Sequence, residues 1–181
     1  MESSSPSPHS AKTHATQRAT PQPLDPSIKT VWTIKLGLFM AAALLIAFFY
    51  DLTHLFSAES GFLPAGAATG AVLVGGGIYC AVWPRLRYRF WRFAVRPEEL
   101  YIQRGVLNRV RTIVPLRRVQ HLDVSQDILE REFSLGRLIV HTAGSRSSDV
   151  VVPGLPLEEA ESIRDKVKQY ILDDPLMEAP V

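Results

Sequence analysis

The chain has 181 residues, 46% of them hydrophobic, with 20 Lys and Arg against 18 Asp and Glu and a formal charge of +2. That length allows one ordinary domain with additions or two very small domains, and the average composition is that of a soluble protein. The single cysteine, Cys80, excludes an intramolecular disulfide and a Cys-rich zinc site.

The average conceals an uneven distribution. Residues 1–30 are rich in Ser, Thr, Pro and His, lack periodicity and apolar bulk, and read as a disordered cytoplasmic tail. His9 and His14 are too sparse there to suggest a metal site. Residues 31–50, VWTIKLGLFMAAALLIAFFY, contain one charge, Lys35, whose stem can reach back toward lipid headgroups. Residues 62–83, FLPAGAATGAVLVGGGIYCAVW, contain none. A helix rising about 1.5 Å per residue needs roughly 20 such residues to cross a hydrocarbon core of about 30 Å, so each run is expected to span. A soluble core helix rarely runs this long without a polar face, and a secretory signal would not follow thirty polar residues. Small residues at Gly66 and Gly70, and at Ala67 and Ala71, stand one turn apart and suit close helix packing. Contact within the hairpin is preferred for them over a homo-oligomer, because the short connection 51–61 already joins the two spans.

Directly after the second run comes WPRLRYRFWRFAVR, in which Arg85, Arg87, Arg89, Arg92 and Arg96 alternate with aromatic residues. The connection 51–61 carries Asp51 and Glu59 and no Lys or Arg, whereas Lys12, Arg18 and Lys29 precede the first run. Basic residues near span ends tend to stay inside, so a multi-pass protein of the inner cell membrane with both termini cytoplasmic is expected. Arg85, Arg87, Arg89 and Arg92 become candidate contacts to the membrane surface. Their charge is accounted for by topology, and without a recognition motif nucleic-acid binding is not expected.

Residues 84–172 read as one compact domain. RYRFWRFAV alternates as a strand would, and ELYIQRGVL, RVRTIVPL, RRVQHLDVSQ, GRLIVHTA and DVVVPG follow as short β-branched runs. Gly105, Gly136 and Gly144 sit where hairpin turns are expected. DILEREFSL has helical spacing. After Pro156, Leu157, Ala160, Ile163, Val167, Tyr170 and Ile171 form one apolar helical face, with acids in the first turn and Lys166 and Lys168 toward the end. The expected architecture is a two-helix transmembrane hairpin followed by an α+β domain, an antiparallel sandwich or small barrel capped by a C-terminal helix. Residues 173–181 read as a flexible tail.

The order PLRRVQHLDVSQ, a short helical piece, LIVHTAG, then PGL before a helix resembles the bacterial pleckstrin-homology-like (PH-like) membrane proteins of the YdbS-like group. The resemblance covers roughly residues 31–172. It implies a PH-like fold, two orthogonal antiparallel sheets closed by a C-terminal helix, and brings with it no established enzyme activity.

Asp123, His141 and Ser145 are the residue types of a nucleophile, base and orienter, yet no nucleophile-elbow or phosphate-loop pattern surrounds them. His121 and His141 lie in expected strands, where a histidine is more often satisfied or solvent-facing than a ligand. No catalytic residue, metal or cofactor is expected. Two functions remain: an interaction or scaffold module at the inner membrane face, partnered by the bilayer and another membrane protein, or a binder of anionic headgroups. After Arg96 the chain has eleven basic residues against fourteen acids, which favours the first. Arg117 and Arg118, at an expected exposed strand start beside Pro115, are the candidate partner contacts.

Overall fold

The structure, a computed structural model, describes residues 20–56, 64, 66–142 and 149–172, with side chains up to residue 170. The expected tail up to residue 19, most of the 51–61 connection, Gly144, Ser145, the side chain of Ile171 and residues 173–181 lie outside this set.

Two long helices come first, α1 (Ile28–Phe56) and α2 (Ala67–Phe90). They contain the whole of the first expected run and all but the first residues of the second, and they are not core helices. Only 11% and 6% of their most apolar windows are buried, and Leu38, Phe39, Ile46, Leu73, Val74 and Ile78 all face outward. The close approach expected at Gly66 and Gly70 falls elsewhere. Gly70 has open space where a Cβ would stand, and Gly66 caps α2 with φ +89°. It is Gly76 that meets α1, since a Cβ there would lie 2.9 Å from Met40 Sδ.

α2 does not stop at the second apolar run. It continues through the buried Pro84 to Phe90, so residues 84–90 are helical and the expected strand begins only at Arg92. The alternation of Arg and aromatic residues suits either conformation, and packing decides. Tyr88 lies inward, donating its hydroxyl to Leu24 O at 3.1 Å, while Arg85, Arg87 and Arg89 stay exposed. Trp91, extended and 6% exposed, then turns the chain into the domain.

The domain has two three-stranded antiparallel sheets. β1 (Arg92–Val95), β2 (Glu99–Arg104) and β3 (Val110–Pro115) form the first in that order. A 3-10 turn (Leu116–Arg118) leads to β4 (Val119–Ser125), which pairs with β5 (Leu135–Thr142) and through it with β6 (Asp149–Pro156). α3 (Ile128–Glu132) bridges β4 and β5, with Asp127 forming a capping box with Glu130. α4 (Leu157–Leu172) closes the structure, burying Ala160, Ile163 and Val167 as its spacing predicts. Gly105 makes the expected turn, with φ +109°. Gly136 does not: it lies within β5 beneath α4, where a Cβ would lie 3.5 Å from Leu157 Cδ1, and the turn before β5 falls to Ser134 at φ +52°.

Inward-facing Ile102, Leu135, Leu138, Val140, Val152 and Leu155 make the core. Three residues from before and within the start of α1 complete it. Leu24, Ile28 and Val31 are 2%, 0% and 0% exposed, so the expected tail boundary at residue 30 lies inside a packed segment. Gln22 pairs with Phe93 at the free edge of β1, and Asp25 donates its N–H to Gly154 O at 2.9 Å. Gly154 has φ +64°, and a Cβ there would lie 2.6 Å from Ile28 Cγ1. Helix and domain therefore share one core.

Candidate membrane-facing site

The base of the hairpin, where α1 and α2 enter the domain, gathers most of the paired basic and aromatic residues among those described. The four expected surface arginines do not form one row. Arg85, Arg87 and Arg89 lie on the last turns of α2, whereas Arg92 opens β1 and donates to Trp91 O. Arg87 lies over Trp32 of α1, 4.3 Å from the ring centroid, and Lys29 lies over Tyr88 at 4.6 Å. Such contacts set the cation itself against the face of an aromatic ring. Arg85 bonds Ala81 O and points the other way from Arg87, into a groove.

That groove, of about 730 Å³, is lined by Lys29, Thr30, Thr33, Gly77, Cys80, Ala81, Arg85 and Tyr88. Gly77 and Cys80 also line a second, apolar groove of about 220 Å³ that runs on along the seam past Gly37, Met40, Ala41, Leu44 and Gly76. Missing side chains create it, for a Cβ on Gly37 or Gly77 would meet nothing within 4 Å. One end of the combined channel thus presents two cations and three hydroxyls, and the other presents hydrocarbon.

On the opposite side, the β2–β3 turn encloses a cleft of about 360 Å³ with Trp83, Arg87 and Trp91. At its rim Leu107 is 91% exposed, and Arg104, Arg109 and Arg111 are exposed nearby in sequence. Ile128, 89% exposed, opens α3. It adjoins Asp127, whose carboxylate is bonded to Lys35 of α1 and lies 2.7 Å from Arg137 Nη2. Lys35 was expected to reach for headgroups, and it docks on the domain instead. Burial pushes the Asp127 carboxyl up, but the Lys35 hydrogen bond, the Glu130 N–H and the charges of Lys35 and Arg137 together hold it below its ordinary value. Arg137 also pairs at 2.7 Å with Glu130, which is 2% exposed and needs that partner.

Met40 opposite Gly76 fixes the register of the two antiparallel helices. On that register Lys35 and Trp83 stand within about one helical turn of each other along the hairpin. Leu107 shares its cleft with Trp83, and Ile128 follows Asp127, the residue to which Lys35 bonds. None of this was legible from charge counting, because Lys29 and Lys35 precede the domain in sequence.

Away from the base, strand register assembles a cluster on the outer face of the second sheet. His121 pairs with His141, and His141 with Asp149. His141 Nδ1 lies 2.7 Å from Asp149 Oδ1 and its Nε2 3.2 Å from Asp123 Oδ2. Asp123 and His141 thus meet, while Ser145 lies outside the described residues. Arg117 and Arg118 are exposed, but on the 3-10 turn rather than a strand.

A pair of outward-facing apolar helices fused through a shared core to two antiparallel sheets and a closing helix defines a transmembrane protein with a PH-like domain. The chain belongs to the bacterial PH domain family, which it matches over residues 35–171, both apolar helices included. It is 36% identical over 108 residues to the UPF0699 transmembrane protein YdbS of Bacillus subtilis (strain 168), covering 58% of this chain and 66% of that one. To the UPF0699 transmembrane protein YdbT of the same strain it is 24% identical over 83 residues, covering 45% and 17%. It therefore spans just under two thirds of the first relative and less than a fifth of the second. No solved structure matches it.

Proposed function

We propose that this protein is a non-enzymatic interaction or scaffold module whose PH-like domain is seated on the inner face of the cell membrane rather than tethered near it. Both helices cross the bilayer in this reading, and both termini are cytoplasmic. The observation that carries it is the shared core of Leu24, Ile28 and Val31 with the sheets, which leaves no linker between hairpin and domain. From residue 36 to Phe56 α1 rises about 31 Å, which is enough to cross the hydrocarbon from the level of Lys35. Leu107 and Ile128 then fall at the headgroup zone, with Trp83 in the belt where amphipathic rings sit well. A domain held this way presents its remaining surfaces, including Arg117 and Arg118, at a fixed height and angle to neighbouring membrane proteins.

The test is charge reversal at Arg117 and Arg118 in the full chain, followed by quantitative pull-down from detergent-solubilised membranes with a folding check. Capture of a discrete membrane partner should fall at least about tenfold, equivalent to about 1.4 kcal/mol, with membrane insertion unchanged. Unchanged capture would contradict the assignment of that surface.

A second reading, binding of anionic phospholipid, is favoured by the two-part channel along the hairpin seam. Lys29, Arg85 and Thr30 suit a phosphate, and the continuing apolar groove suits an acyl chain. The acidic balance of the domain does not oppose it, because neither cation belongs to the segment that carries that balance.

A further inference from the structure

We propose that the outer face of the β4–β5–β6 sheet is a binding site for one divalent transition-metal ion of the zinc class, ligated by His121, His141 and Asp123, with Asp149 orienting His141. The three residues each offer a ligand atom, and these atoms lie within 4.8 Å of one another. They come from adjacent strands whose ladder fixes their spacing, so the donors are held by backbone pairing rather than by a loop.

The contacts of His141 carry the argument. Its Nδ1 is 2.7 Å from one carboxylate oxygen and its Nε2 3.2 Å from another. A carboxylate only accepts hydrogen bonds, and a neutral imidazole has a single N–H, so one ring nitrogen faces an acceptor with a lone pair. The shorter contact marks Nδ1 as the donor to Asp149. Nε2 is then left with its lone pair toward Asp123, and a cation between the two relieves the opposition. A carboxylate behind the distal nitrogen of a ligating histidine is the usual outer-sphere support of a metal site.

The distances agree. Two donors on a tetrahedral ion with bonds of about 2.0–2.1 Å stand about 3.3 Å apart, against 3.2 Å for His141 Nε2 and Asp123 Oδ2. His121 Nε2 is 4.0 Å from the same oxygen, and its ring is stacked on His141 with centroids 4.1 Å apart. To ligate, His121 must tilt out of the stack, which its 61% side-chain exposure allows. Two imidazoles with one carboxylate select zinc, cobalt, nickel or copper over magnesium or calcium, which take oxygen donors. Three protein ligands leave a fourth position, open to solvent, for water or a donor from a partner.

The experiment titrates the full chain in detergent with cobalt(II) and zinc, reading cobalt absorbance and calorimetric stoichiometry with magnesium in excess. One saturable ion per chain with a tetrahedral cobalt spectrum is expected. His121→Ala and Asp123→Asn should each weaken binding at least about tenfold, and Asp149→Asn by about ten- to a hundredfold. Metal-free variants should melt as the wild type does, while zinc raises the melting temperature of the wild type alone. Because His121 and Asp123 are exposed, their loss should not disturb folding. Equal binding by wild type and His121→Ala would move the site to His9, His14 or His54 and overturn the proposal. Absence of saturable binding would overturn it too.

Discussion

Replacing Ile28 with Ala should unfold the domain more readily while leaving the hairpin inserted. Ile28 is 0% exposed and faces Gly154. Removing three carbon groups at about 0.8 kcal/mol each gives about 2.4 kcal/mol, and an unfilled cavity adds about 1, so a loss of about 3–4 kcal/mol is expected. Gly154→Ala should also destabilise, by about 1–2 kcal/mol for a side chain at positive φ and a further 1–3 for crowding Ile28. In the double variant the clashes with Ile28 Cγ1 and Cδ1 vanish, but Cβ of residue 28, 2.7 Å from the new methyl, remains. Crowding is relieved only in part, and the double loss should fall short of the sum by about 1 kcal/mol. Denaturant-dependent hydrogen exchange of β5 and β6 amides, on the full chain in nanodiscs, reads this directly. A loss below about 0.5 kcal/mol for Ile28→Ala, or additivity within about 0.5 kcal/mol, would refute the shared core.

Lys35→Gln should weaken the docking of α3 on α1 by no more than about 1 kcal/mol, since the pair is partly exposed; protection of α3 amides checks it. Because the folded Asp127 carboxyl lies below its ordinary value of 3.8, its contribution is complete above that value. It is lost as pH falls through the lower folded value, so the melting temperature of Lys35→Gln and wild type should converge only in strong acid. The double variant Lys29→Gln with Arg85→Gln should co-purify with markedly less anionic phospholipid by native mass spectrometry, and undiminished retention would sink the lipid reading. A reporter fused after Val181 should be active only in the cytoplasm and one near Glu59 only outside. Gln at Arg85, Arg87, Arg89 and Arg92 should mix those orientations, and an unmixed result would free the arginines from a topological role.

What the sequence disclosed follows physical range. The two apolar runs and the face of α4 are local periodic patterns, and the strands alternate along their own length. The packing of Leu24 and Ile28 was hidden because isolated apolar residues among Pro, Asp and Ser carry no period. Residues 84–90 misled because Pro84 ordinarily ends a helix and the Arg/aromatic alternation mimics a strand. Here the helix persists because Pro84 is buried and Tyr88 packs against the domain core. The groove at Lys29 and Arg85 joins residues far apart in sequence, as does the cluster of His121, Asp123, His141 and Asp149. Spacing within one segment cannot reveal either, because each depends on the register between elements.

Membrane seating is tested most directly by depth. In a Cys80→Ser background, single nitroxide labels at positions 107 and 128 of the full chain in liposomes report the relative access of oxygen and of a water-soluble nickel chelate. Both labels should lie at headgroup depth, with oxygen favoured over the chelate, because Leu107 shares a cleft with Trp83 and Ile128 follows the residue to which Lys35 bonds. If either label is as accessible to the chelate as a freely exposed residue, the domain is tethered above the bilayer and not seated on it.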